Sequence, residues 1–221
     1  MQKFKLIRSK RKTVAIEIHP DRTVLVRAPL RAHRAALDAL VAEKQAWIDR
    51  KLEEMSLARP QAPLHQYVSG EAFPYLGIWY ALALVERIRP AIELDGSFNL
   101  AKNSLPRAAA VFTAWYRRQA LEIFAERVAA WSRVMDLHPS RIRISSARTR
   151  WGSCSSRGSI SLTWRLVMAP PEIIDYVVVH ELAHLKERNH SAAFWKLVAA
   201  FMPDYAQKRR WLKENGRRFD L

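Results

Sequence analysis

The stretch from Pro170 to Leu185 constrains the fold more than any other part of this 221-residue chain. Proline is tolerated in the first turn of a helix and not inside one, so Pro170 and Pro171 mark a helix start. The apolar residues that follow, Ile173, Ile174, Val177, Val178, Leu182 and Leu185, occupy almost every side of that helix. A helix apolar nearly all round is a buried helix. The spacing therefore predicts a central helix with the rest of the chain packed around it.

Two histidines and a glutamate interrupt this apolar helix, as His180-Glu181-Leu182-Ala183-His184. On an α-helix the i and i+4 positions lie ~40° apart in rotation and one turn apart in rise, so both imidazoles can reach one ion. Glu181 sits beside them, placed to take a proton from a metal-bound water and badly placed to be a ligand. Zinc lowers the pKa of such a water toward ~7, and the water can then attack a carbonyl or phosphoryl centre. Burying two His and a Glu in so apolar a helix is costly unless a metal satisfies them.

A catalytic zinc takes three protein ligands and keeps one position open, whereas a structural zinc is closed by four. His190 is the expected third ligand. Asn189 tolerates the left-handed conformation that ends helices, which would swing His190 back toward the ion, and Ser191 would N-cap the next helix, Ala192 to Met202. Glu187 is the rival, but on a straight helix it lies one turn too far from a metal centred between His180 and His184. The remaining histidines, His19, His33, His65 and His138, fall in turns or polar segments and are expected to be solvated.

Around this constellation the chain reads as α+β. Thr13 to Ile18 and Thr23 to Ala28 alternate about a His19-Pro20-Asp21-Arg22 turn and predict a hairpin. Leu37 to about Leu57 keeps helical spacing until Pro60 and Pro63. Residues 66 to 100 read as strands, with Tyr75 to Val85 foremost and Asp95-Gly96 as a hairpin turn. Pro106 opens a helix to about Leu137 with Val111, Trp115, Leu121, Phe124, Val128 and Trp131 as core candidates. Strands follow over Arg141 to Ser145, Arg150 to Ser155 and Ser159 to Leu166, the last two joined by a Ser155-Ser156-Arg157-Gly158 turn. The weakest joint falls near Ala101 to Pro106. It divides a β-rich portion with one long helix, residues 1–104, from a catalytic core, residues 105–221.

Gly152 suits either a bulge or a close approach of backbone or ligand, and Trp151 either packs on the active helix or fills the core. An edge strand there would let an extended peptide add to the sheet. Cys154, the single cysteine, excludes an intramolecular disulfide and is expected as a small core residue.

The runs RTRWGSCSSRGSISLTWRLVMAPPEIIDYVVVHELAHL and HLKERNHSAAFW resemble the YgjP-like zinc metallopeptidase domain, a relative of the SprT-like and WLM groups of the zincin clan. The resemblance is strongest over residues 148 to 195. It implies a minimal zincin-like core: a backing helix, a small antiparallel sheet, the HExxH helix and C-terminal helices. It also implies Zn2+ as cofactor, His180, His184 and His190 as its ligands, and Glu181 as general base. The ligand spacing matches metzincins, yet Glu187 stands where they turn on glycine and no Met-turn follows His190, which argues for the smaller SprT-like arrangement.

Charge bears on the substrate. With 37 Lys and Arg against 21 Asp and Glu the formal charge is +16, spread over both halves. Arg141, Arg143, Arg148, Arg150, Arg157 and Arg165 fall in an acid-free, lysine-free stretch leading to the metal helix, and arginine favours bidentate recognition of carboxylate or phosphate. The expected activity is a zinc-dependent metallopeptidase acting on protein or peptide, anionic or nucleic-acid-bound. The alternatives are a metal-dependent UTP pyrophosphatase, a label some YgjP-like proteins carry, and a nucleic-acid-associated SprT-like protease. Non-specific nucleic-acid contact would fall on Arg8, Lys10, Arg11 and Lys12 and on the run Lys208, Arg209, Arg210, Lys213, Arg217 and Arg218. The charged opening residues carry no export signal and no apolar run nears the ~20 residues of a membrane span, so a soluble cytoplasmic protein is expected.

Overall fold

A computed structural model describes residues 4–19, 21–56 and 65–219. Contacts divide the chain into two compact units, Met1–Gln61 and Ala62–Leu221, so the division falls at 61/62 and not at 104/105. The reason lies in the core. Phe73, Leu82, Phe98 and Leu100 come before the expected boundary, yet they pack in one cluster with Phe112, Tyr116 and Val178. The expected joint is itself part of that unit: Ala101 and Ser104 are buried, and Lys102–Arg107 form a 3₁₀ segment.

The first unit contains strands β1 (Lys5–Ser9), β2 (Ala15–Ile18) and β3 (Val24–Pro29), then helices α1 (Arg34–Glu43) and α2 (Gln45–Ser56). β2 and β3 form the expected hairpin, with Ile16 opposite Val26, while β1 pairs parallel to the other edge of β3. The parallel strand was not expected from so charged a stretch, but Leu6 and the preceding Phe4 pack on the core of Val24, Val26, Ala28, Leu37, Val41 and Ile48. The single helix expected over Leu37 to Leu57 is two, broken at Lys44 (φ −91°, ψ 6°). Pro20, Leu57, Pro60 and Pro63 lie outside the described residues.

The second unit opens with β4 (Ala72–Tyr75), β5 (Ile78–Val85), β6 (Ile92–Asp95) and β7 (Ser97–Ala101), in the order β4-β5-β7-β6. Gly96 makes the expected turn with φ +65°. The strand expected from Tyr75 starts only at Ile78, because Leu76 and Gly77 adopt positive φ and turn the chain. Their amides donate to the Val167 and Met168 carbonyls at 3.0 and 3.1 Å. A Cβ on Gly77 would lie 2.8 Å from Pro170 Cγ, so this turn braces the entry to the central helix.

Helix α3 (Ala108–Met135) runs ~42 Å at 1.5 Å per residue. Its buried stripe passes through Phe112, Tyr116, Ala120, Phe124, Val128 and Ser132, in steps of four. Trp115, Phe124 and Val128 are buried as expected, but Leu121 is 59% exposed. Side-chain size misled there: Ala120 and Ser132 are small and on the stripe, and Leu121 is large and off it. The third sheet comprises β8 (Arg141–Ser145), β9 (Gly152–Cys154) and β10 (Ser159–Thr163), ordered β8-β10-β9. It was expected to be antiparallel and is mixed. β10 returns from the Gly158 turn antiparallel to β9 and inserts beside β8, which it pairs in parallel.

After a wholly buried 3₁₀ segment, Trp164–Met168, helix α4 (Pro171–Ala183) starts with Pro171 in its first turn. Its buried residues span nearly its whole circumference, from Ile173 to Ala183. α3, β9 and the helices α5 (Ala192–Phe201) and α6 (Tyr205–Asn215) pack around it. Among the described residues the architecture is α+β, with six α-helices and three small sheets. No helix among them is long and apolar enough to cross a membrane.

Candidate metal centre

The C-terminal end of α4 carries the site. His180 lies in its last turn, Glu181 is 5% exposed, and His184 is the C-cap. The chain then reverses through turn bonds, with Lys186 and Glu187 amides donating to the Ala183 carbonyl and the Ser191 amide to the Asn189 carbonyl. Asn189 is not among the residues with positive φ, contrary to expectation. What directs the loop instead is a hydrogen bond inside it: His184 Nδ1 lies 3.0 Å from the Glu187 carbonyl. Ser191 caps α5 as expected, its Oγ accepting from the Phe194 amide at 3.3 Å.

This reversal gathers His180, His184 and His190, whose ligand atoms lie within 4.8 Å of one another. The Nε2 atoms of His180 and His190 are 3.0 Å apart. Glu187, the rival third ligand, contributes its carbonyl to His184 and is not in the cluster. A proton on His184 Nδ1, donated to that carbonyl, leaves the Nε2 lone pair free for a metal. Phe194, fully buried, packs against all three imidazoles, and His190 is stacked with Trp195 at 5.6 Å and 20°.

Burial, then the neighbouring histidines, then Arg209 push the His180 pKa down to about 3, and the same kinds of cause lower that of exposed His190. Neutral imidazoles keep their lone pairs, so this donor set fits a divalent transition metal. Burial raises the Glu181 pKa to about 8, partly offset by the charge of Arg150. Glu181 Oε2 is buried with no hydrogen-bond partner, as is His180 Nδ1. A buried carboxyl oxygen without a protein partner, on the residue next to His180 in the helix, is the kind of group that serves as a base in metal-assisted hydrolysis.

Glu181 fits there because residue 152 is glycine. A Cβ at that position would lie 2.4 Å from Glu181 Oε1 and 2.6 Å from its Cγ. The close approach that Gly152 permits is therefore to the glutamate. Trp151 is half-buried, packed on the core and against Gly216 and Phe219 at the C-terminal end. β9 is an edge strand; the bonds Ser155 N to Ser159 O and Thr163 N to Trp151 O direct Trp151 and Ser155 toward β10. By alternation, the main-chain groups of Gly152 and Cys154 face the open edge. Cys154 is partly buried against the core, and burial, then Glu181, raises its pKa.

The arginine-rich stretch does not act as one group. Arg165 is buried, donating to the Ser146 carbonyl at 3.2 Å with its guanidinium over Trp164, so it is structural. Arg150 influences Glu181, and the other four are exposed. His65, expected in solvent, pairs with Glu71 at 2.6 Å and stacks on Phe73. Sequence reasoning missed Trp195 and the separate position of Arg209; the FW pair following His190 by four and five residues was the available signal.

A three-histidine cluster, with a buried glutamate that has one unpartnered oxygen on the helix supplying two of the histidines, fits the site of a metallohydrolase. The chain belongs to the YgjP-like metallopeptidase domain family, whose model matches residues 12–215. The UTP pyrophosphatase of Escherichia coli (strain K12) is 35% identical over 72 residues, which make up 31% of this chain and 43% of that protein. The match thus spans less than half of that relative. Among solved structures, the metallopeptidase zymogen of Pyrococcus abyssi abylysin superposes with a TM-score of 0.38 at 23% identity, covering 41% of this chain and 93% of its own.

Proposed function

We propose that the protein is a zinc-dependent peptidase with a minimal zincin-like core, in which α3 backs the third sheet and α4 carries the reacting groups. His180, His184 and His190 would hold the ion, and Glu181 is the general base. When bound, zinc supplies a polarised water of lowered pKa and stabilises negative charge on the substrate oxygen. Glu181 Oε2 would take a proton from the attacking water and return it to the leaving nitrogen, roles open to it because no protein group occupies that oxygen. The free edge of β9, with the Gly152 and Cys154 main-chain groups, would align an extended peptide over α4. The observation that carries this reading is the gathering of the three histidines, two of them contributed by the helix whose Glu181 is seated in the gap left by Gly152.

A second reading, hydrolysis of a nucleoside triphosphate to release pyrophosphate, draws on the E. coli relative and on the arginine charges near Glu181 and His180. The test is a paired assay of zinc-loaded protein and its Glu181→Gln variant on casein and on a nucleotide panel. Proteolysis abolished in the variant supports the peptidase. Pyrophosphate release abolished in the variant, with no proteolysis in either protein, replaces it with the second reading.

A further inference from the structure

Helix α6 brings a cation to the metal centre. The Arg209 guanidinium lies 5.0 Å from the centroid of the Trp195 ring. That indole is stacked with His190 and lies 5.7 Å from His180, so Arg209 is one aromatic ring away from two of the three histidines. Tyr205, one helical turn before Arg209, stacks on the same indole at 5.0 Å and 16° and fixes the platform. Lys208 beside it is paired with Asp204, whereas Arg209 has no carboxylate within ion-pair distance among the described residues.

This placement is unfavourable by itself. Three neutral imidazoles leave a bound divalent ion with its full charge, and a second cation close by adds repulsion. An anion between the two cations turns repulsion into attraction on both sides. With its charge over an indole and no carboxylate partner among the described residues, the guanidinium can offer its N–H groups to a planar, bidentate acceptor.

We propose that Arg209, held on the Trp195–Tyr205 platform, binds an oxyanion group of the substrate, a carboxylate or a phosphate, next to the metal centre. The proposal rests on the metallohydrolase reading of the site and narrows its substrate to molecules with such a group near the scissile bond. A peptide's terminal or side-chain carboxylate and a nucleotide's phosphates both qualify, and the two are separable by probe.

Isothermal titration of N-acetylglycine and of inorganic pyrophosphate into zinc-loaded protein tests it, with zinc content read separately by chelator competition. Wild type is expected to bind at least one probe, and the one it prefers identifies the source of the oxyanion. Arg209→Gln should weaken that binding at least about tenfold while keeping zinc, Arg209→Lys should fall between, and Arg210→Gln should stay within about twofold. If zinc is held and wild type binds neither probe, if Arg209→Gln binds as wild type does, or if Arg210→Gln loses as much, the proposal fails alone. If wild type takes up no zinc, the metallohydrolase reading fails and this proposal with it.

Discussion

His180 and His190 approach the same point from opposite kinds of structure. His180 belongs to α4, buried on nearly all sides by α3, α5, α6 and β9, and its position follows from the core. His190 is exposed on a loop and held by Phe194 and Trp195 at the start of α5. The helix is held by packing on nearly every side; the loop is held by the His184–Glu187 hydrogen bond, the Ser191 cap and the Phe194 and Trp195 rings. On the proposed reading the base and two of the ligands sit on the first, and the third ligand sits on the second.

The widest separation between the two halves should come from Glu181→Gln. It should lower kcat/KM by about 10²–10⁴-fold while zinc affinity, set by the histidines, is unchanged. Gly152→Ala tests the rigid half from outside it: a methyl 2.4 Å from Oε1 must displace the carboxylate. A misplacement on the order of 1 Å costs about 10²-fold in rate, again with zinc retained, measured by steady-state kinetics beside metal analysis.

The loop half should answer differently. Trp195→Ala is expected to weaken zinc binding by about 10–100-fold, as loss of groups that orient ligands does, with Trp195→Phe recovering most of it. If chelator competition shows no change on Trp195→Ala, the stack does not position His190. Ser191→Ala should cost about 1 kcal/mol through the lost cap, read as a small shift of the urea midpoint.

A last expected effect concerns pH in the metal-free protein. The Glu181 pKa is raised by burial from its ordinary 4.5 to about 8, so the folded state holds a proton that the unfolded state releases. Stability from this group is complete below pH 4.5 and is lost as pH rises to about 8. Thermal unfolding in chelator should therefore show a lower Tm at pH 9 than at pH 5, and Glu181→Gln should narrow that difference.

Much of the rigid half was legible in the sequence. The paired prolines, the apolar circumference and the HExxH spacing are local features, and helix geometry converts them directly into positions. The Ser191 cap and the turns at Gly96 and Gly158 were legible for the same reason. The errors arose where partners lie far apart along the chain. Leu121 was assigned inward on its size, but the buried stripe of α3 is set by the elements it meets. β8 was expected antiparallel, but strand order depends on which edge of β10 was open.

Spacing along one backbone is enough to specify a buried helix bearing two histidines and a glutamate, with a third histidine within reach. Long-range packing is what opens the gap at Gly152 for Glu181, stacks Trp195 with His190 and sets Arg209 over that indole. Those contacts join residues from β9, α5 and α6 to α4 and its loop, and nothing in the local pattern of any one segment encodes where another will lie.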